Sequence, residues 1–315
     1  MKKILVVALV LILALAIAVS AFGAEKKYKV GYSCISWTIP WMVYYKQLFE
    51  QEMKKYPNYE VIWHDAKFDF KAMADGLEGF AAQDVDLIIH FALDNKAMLE
   101  TYKKIKAAGI PLLLTMDPPD YAAYEYMTGF SGLDNLEAGR ICENMLEKAL
   151  GGKGKVALIT APNGSASEMQ YTAGFVNEHR RVNSAIEIAA KQSGDWDIAK
   201  AQAAASDILT KFPKIDGFYV SDDWMGGGLI RALKEKGYKP GQVKIAANGG
   251  SKIGANDFKG GWYLGIVDQG PVLCMKQDIW LMRALLEDQI QIPAFAAVLQ
   301  EVINKYNISR FPGTW

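Results

Sequence analysis

The chain has 315 residues, 51% of them hydrophobic and 22% charged, enough to bury a large core and to form about two domains. Lysine plus arginine and aspartate plus glutamate both number 35, so no net positive field exists to hold nucleic acid or an anionic membrane surface. The three cysteines, Cys34, Cys142 and Cys274, are widely spaced, match no metal-ligand pattern, and are expected to be free, packed thiols.

Lys2 and Lys3 precede an apolar run from Ile4 to Val19, and small residues follow before Glu25. This is the layout of a secretory signal, with cleavage after Ala21 or Ala24, and it predicts export to the periplasm. The run is shorter than the ~18–20 residues of a spanning helix, and no cysteine follows it for lipid attachment.

From Lys27 the hydrophobic pattern alternates between strand and helix periods. Strands are predicted at Tyr28 to Ser33, Glu60 to His64, Val85 to Phe91 and Ile110 to Met116, with helices at Trp41 to Lys55, Phe70 to Gln83 and Asn95 to Ala108. After a connection from Pro118 to Asp134 the scheme restarts. Helix Leu136 to Leu150 leads to strand Val156 to Thr160, helix Glu168 to Val182, strand Ile186 to Ala190 and helix Asp197 to Phe212. Strand Ile215 to Val220, a glycine-rich loop from Ser221 to Gly228, helix Leu229 to Lys236 and strand Val243 to Ala247 complete the second series. Near-continuous apolar strands separated by helices imply an α/β fold of two parallel sheets covered on both faces, two Rossmann-like lobes. The segment Asp84 to Ile89 has a counterpart in Pro213 to Val220, which points to a duplicated lobe. The first lobe is expected to comprise residues 25–131 and 269–295, the second residues 132–268 and 296–315. The chain is expected to cross between them near Ser131 to Asp134, Val267 to Gly270 and Ile292 to Phe295.

In open α/β sheets small ligands sit beyond the carboxyl ends of the strands. Asp222, Asp223 and Trp224 stand at such a point, where they either meet a ligand or cap and cover the following helix.

An ordered set of segments identifies a resemblance. "VGYSCISWTIPWM", "DLIIHFALD", "GIPLLLTMD", "GKVALITAPNGSASEMQYTAGF" and "IDGFYVSDDWMGGGLIRALKEKG" together resemble the ribose/galactose type of periplasmic sugar-binding proteins, over nearly all of residues 28 to 292. The resemblance implies the type I periplasmic binding protein fold, with three hinge segments, closing over one small ligand that passes to the membrane permease of an ABC transporter. It further implies that Trp41, with Trp37 in the same loop, and Trp196 stack on opposite faces of a sugar ring. Asp117, His90, Asp222, Asn248 and Asp268 match strand-end positions that bond hydroxyls. A monomer without a cofactor is expected. Ribose-type relatives commonly carry arginines where this chain has Pro118 and Tyr171, the latter also expected to meet the ligand, so the cleft, expected to hold Asp117, Glu168, Asp222, Asp223 and Asp268, lacks cationic anchors. A neutral or amino-bearing sugar or polyol is therefore expected, and an acidic ligand is not.

Enzyme signatures are absent from the sequence. His64, His90 and His179 show no zinc spacing, there is no G-x-S-x-G elbow, and "GGKGK" at Gly151 to Lys155 lacks P-loop spacing. A signalling co-receptor would use the same cleft, and a secreted glycoside hydrolase is the more distant alternative class.

Overall fold

The computed structural model describes residues 26–311, 313 and 315. The expected export signal and its cleavage points lie outside these residues. Two six-stranded sheets form the frame. The first contains β1 (Tyr28–Cys34), β2 (Tyr59–Asp65), β3 (Leu87–Phe91), β4 (Leu112–Met116), β5 (Gly129–Gly132) and the late β11 (Ala296–Ala297), in the order β11-β5-β4-β3-β1-β2. The second contains β6 (Lys153–Thr160), β7 (Ala185–Ser193), β8 (Gly217–Val220), β9 (Lys244–Gly249), β10 (Gly265–Asp268) and β12 (Val302–Ile303), in the order β12-β10-β9-β8-β6-β7. Every pairing is parallel except that of β10 with β12. β3 and β4 are buried at every position, as unbroken apolar runs in a sheet covered on both faces must be.

The sheets share one topology, with β6, β7, β8, β9 and β10 standing where β1, β2, β3, β4 and β5 stand in the first. The repeat extends to hydrogen bonds. Asp86 Oδ2 accepts from the Lys29 backbone N–H at 2.7 Å, and Asp216 Oδ2 accepts from the Lys155 backbone N–H at the same distance. Each acid precedes the third strand of its sheet and ties that strand's start to the first.

The helices of the first half are α1 (Pro40–Met53), α2 (Phe70–Ala81) and α3 (Leu99–Ala107). Those of the second are α4 (Asn135–Leu150), α5 (Ala166–Arg181), α6 (Ile198–Lys211), α7 (Asp223–Glu235) and α8 (Lys252–Lys259). The last helix, α9 (Pro271–Leu286), returns to pack on α1, β4 and β5. The cores are correspondingly separate. One cluster draws on residues 28–133 and 274–298 with Trp315, and the other two lie within residues 138–303. The chain passes between sheets after Gly132, after Asp268, and between Ala297 and Val302. The third passage falls later than Ile292 to Phe295, because Ala296 and Ala297 still pair with Ser131 and Gly132 of the first sheet. Val298 and Trp315 also pack with the first core, although the sequence division assigns them to the second lobe.

Two local differences from the sequence reading have a steric cause. α7 begins at Asp223, six residues before Leu229, so the glycine-rich stretch is helix and not loop. A side chain at Gly228 would stand 2.2 Å from the Ile198 carbonyl oxygen, so the glycine lets α6 and α7 approach backbone to backbone. The connection from Pro118 to Asp134 also contains a short 3-10 turn, Tyr121–Glu125, and the buried strand β5. β5 reads as Gly-Phe-Ser-Gly and shows no strand alternation. At Gly132 a Cβ would lie 2.4 Å from the Met116 carbonyl oxygen. The three cysteines are free and buried, as expected.

Candidate functional site

The site lies where the carboxyl ends of both sheets face each other. On the first-lobe side, Pro40 occupies the first turn of α1, where its fixed φ suits a helix start and its missing N–H costs nothing. Trp41 follows directly, and its ring stacks on Tyr45 one turn later, with centroids 5.4 Å apart and planes 12° off parallel. The indole is buried and its Nε1–H has no partner among the described residues.

β4 ends at Met116, whose φ of 71° lies in the left-handed region. That conformation is uncommon for a non-glycine residue and tends to occur at functional sites. It turns the chain into Asp117. Asp117 Oδ1 accepts from Asn135 Nδ2 at 2.7 Å, and Oδ2 accepts from the Ser167 hydroxyl. Burial raises the affinity of Asp117 for its proton, and the bonds from Ser167 and Asn135 oppose that shift.

On the second-lobe side, β8 ends before Asp222, the N-cap of α7, whose Oδ1 accepts from the Met225 backbone N–H at 2.7 Å. Burial pushes its carboxyl up to about 8; the Met225 bond opposes this and the neighbouring Asp223 charge adds to it. Trp196 sits in the turn between β7 and α6 with φ 57°, a second non-glycine residue held in the left-handed region. α5 supplies Ser167 and Tyr171, and the Tyr171 hydroxyl accepts from Gln269 Nε2 at 3.2 Å. Gln269 itself lies in the second crossing.

These groups line a partly open cavity of about 70 Å³. At roughly 10–15 Å³ for each water-sized position, that is space for one small molecule and not for a polymer chain. Of the residues expected to meet a ligand, Trp41, Asp117, Tyr171, Trp196 and Asp222 are brought together on its wall. The other four lie elsewhere, each for a physical reason. Trp37 donates from Nε1 to the His64 carbonyl oxygen at 2.8 Å and packs edge-on against Tyr32 and Trp63, so its loop faces the outer edge of the sheet. His90 is enclosed inside the first core, edge-on to Tyr102, and burial lowers its imidazole to about 3. Asn248 is buried and occupied by Tyr219 Oη at 3.0 Å and the Ser221 carbonyl at 3.2 Å. Asp268 lies beside Gly250 and Gly270 at the second crossing, where burial pushes its carboxyl up to about 6 and the Gly270 N–H opposes the shift.

Two further acids expected in the cleft are also withdrawn from it. Glu168 is ion-paired with Lys191 at 2.6 Å. Asp223 accepts from the backbone N–H groups of Gly250 at 2.7 Å and Ser251 at 3.1 Å, clamping the turn after β9. The neighbouring Trp224 is half-buried against the first-lobe core, so it bridges the lobes instead of entering the cavity.

The remaining wall residues escape a sequence reading. Ile35, Ile39, Met42, Phe91, Met116 and Leu133 line the cavity but look like core residues, because an apolar side chain at a strand end carries no mark of what it faces. Ser167 and Gln269 were legible in principle, the one beside a helix cap and the other beside Asp268. Among the described residues no group of His, Cys, Asp and Glu is arranged to hold a metal ion.

A family model described as a periplasmic binding protein domain matches residues 30–290. The xylitol-binding protein of Mycolicibacterium smegmatis is 28% identical over 236 residues, covering 74% of this chain and 65% of that protein. The ribose import binding protein of Bacillus subtilis is 25% identical over 215 residues, 68% of each chain. The chain thus spans about two thirds of these relatives' length, and slightly less for the first. A solved periplasmic solute binding protein of an ABC transporter from Actinobacillus succinogenes, with bound D-allose, superposes with a TM-score of 0.79 at 25% identity, over 90% of this chain and 100% of that one. A solute binding protein from Bacillus halodurans with bound myo-inositol gives a TM-score of 0.84 at 20% identity, over 93% and 100%, a likeness of fold alone.

Proposed function

Since the chain belongs to the periplasmic binding protein domain family, we propose that it captures one small neutral sugar or polyol between its two lobes and delivers it to the membrane permease of an ABC importer. The observation that carries this reading is the cavity itself. It is walled from both sheets, it carries Trp41 and Trp196, and it holds two carboxyl groups from opposite lobes, Asp117 and Asp222. A sugar ring offers apolar C–H faces to aromatic rings and hydroxyl donors to carboxylates, each such charge-assisted bond contributing about 1.5–3 kcal/mol. The relatives named above bind xylitol and ribose, both neutral and polyhydroxylated.

Among the described residues no lysine or arginine lines the cavity, so an anionic ligand would meet Asp117 without compensation. The reading is of a receptor and not a hydrolase. Asp117 is tied by Asn135 and Ser167, and Asp222 is tied to the helix it caps. Export by the N-terminal segment and action as a monomer belong to the same proposal. No helix among the described residues is long and apolar enough to cross a membrane.

The test is mass spectrometry of material that co-purifies with the native protein, followed by calorimetric titration with the compound found and with a panel of neutral sugars and polyols. Recovery and tight binding of such a compound supports the reading. Selective binding of an amino acid or peptide, with no response to the panel, overturns it.

A further inference from the structure

The cavity has two unlike sides. Its first-lobe wall is Ile35, Ile39, Met42, Phe91 and Met116, with Trp41 beside them. The opposite wall comprises Ser167, Tyr171, Trp196, Asp222 and Gln269, nearly all polar. On the first-lobe side the side chains able to exchange a hydrogen bond are Asp117 and Trp41. Asp117 already receives bonds from Asn135 and Ser167. The Trp41 Nε1–H is buried without a partner among the described residues.

A fully hydroxylated ring presents donors and acceptors around its whole rim, and each needs a partner once water is expelled. A rim hydroxyl placed against Ile35, Met42 or Phe91 finds none, which weakens binding by about tenfold or more. A hydrogen or methyl at that position gains from burial instead. We propose that the ligand is amphipathic: a small sugar or polyol hydroxylated along the edge that meets Asp222, Tyr171 and Gln269, and deoxygenated along the edge that meets Ile35, Ile39, Met42, Phe91 and Met116. This rests on the sugar-or-polyol reading above and adds which part of the ligand lacks oxygen.

The test is calorimetric titration at pH 7 with matched pairs differing in one hydroxyl: D-galactose with D-fucose, D-glucose with 6-deoxy-D-glucose, and D-allose with 6-deoxy-D-allose. In the pair that binds best, the deoxy member is expected to bind about tenfold tighter or more. Equal or tighter binding of the hydroxylated member in every binding pair overturns the inference and leaves the sugar-receptor reading standing. Silence across all pairs, with no sugar or polyol in the co-purified material, overturns both. Two variants then locate the preference. Met42→Gln places a hydrogen-bonding group on the apolar wall with little change of volume, Ile39→Thr does so with one heavy atom fewer, and either is expected to cut the deoxy preference severalfold. Thermal melting checks that each variant is folded. An unchanged preference in both folded variants overturns the assignment to this wall.

Discussion

Asn135, the first residue of α4, donates from Nδ2 to Asp117 Oδ1 at 2.7 Å, so the carboxylate that closes the first sheet's end is held by a side chain packed on the second sheet. Ser167 of α5 donates to the other carboxylate oxygen, and the Ala166 backbone N–H reaches the Leu93 carbonyl oxygen at 3.4 Å. The lobes are therefore bonded to each other through the cavity wall itself, and the protein's own side chains compete with an incoming hydroxyl for Asp117.

If these bonds favour closure, removing them opens the ligand-free protein. The double variant Asn135→Ala with Ser167→Ala is expected to show a larger radius of gyration than the parent by small-angle scattering, and ligand is expected to recover part of the difference. An identical radius in both proteins would show that closure rests on other contacts.

The two cavity tryptophans and Trp37 are expected to separate in their effects. Trp41→Ala and Trp196→Ala each remove a ring from the cavity and weaken ligand binding by about 2 kcal/mol or more. Trp37→Ala removes a ring from the Tyr32 and Trp63 cluster, which lowers stability by about 1–3 kcal/mol and leaves affinity within a factor of a few. Calorimetry and denaturant melts on the three variants check this; a large affinity loss in Trp37→Ala would return that residue to the site.

Stability without ligand is expected to fall as pH rises. Burial lifts the Asp222 carboxyl from its ordinary 3.8 to about 8, so the folded state holds a proton that the unfolded chain releases above about pH 4. The resulting stabilisation is complete below the unfolded value and is lost as pH climbs through the folded one. Asp223, Asp268 and Asp278, each raised to about 6 chiefly by burial, finish their losses earlier. Between pH 6.5 and 8.5 the slope is left mainly to Asp222 and to Glu143, which burial raises to about 7. Asp222→Asn keeps an oxygen for the Met225 cap and is expected to flatten the melting-temperature profile over that range. A profile as steep as the parent's would show that Asp222 is already ionised when folded.

Ligand charge offers a further test. At pH 7 a uronic acid is expected to bind at least tenfold more weakly than its neutral parent sugar, because its carboxylate would be enclosed with Asp117 and no cation. Tighter titration by the uronic acid would contradict this.

The fold was largely legible because its strands are unbroken apolar runs and its helices are amphipathic, as in Leu87–Phe91 and Phe70–Ala81. The exceptions lie where backbone contact, not side-chain pattern, decides the structure. β5 is a strand because Gly132 fits against β4, and Gly228 sits in helix because α6 leaves no room for a side chain. In the site, the sequence reading kept both Trp37 and Trp41 as ligand contacts, because a tryptophan in the loop before a helix carries no mark of which way it turns. Pro40 separates them in space: Trp41 enters a helix that leans over the cavity, while Trp37 remains in a loop tied to His64. His90 and Asn248 stand one residue before the ends of β3 and β9, but a side chain near a strand end points either over the sheet's rim or into a face, and period-2 reasoning does not say which residue is the last to point inward. The apolar half of the cavity left no sequence trace at all.

The return of α9 to the first lobe has a consequence for the order in which the protein is built. Asp278, on that helix, accepts from the Tyr45 hydroxyl and from Thr115 Oγ1 at 2.9 Å, partners buried in the first core and 233 and 163 residues earlier in the chain. Synthesis proceeds from the N-terminus, yet the half that emerges first cannot satisfy these buried hydroxyls until β6 to β10 of the second sheet have followed. The second sheet can assemble all but its edge strand β12 before α9 exists, so the lobe encoded first waits for most of the lobe encoded second.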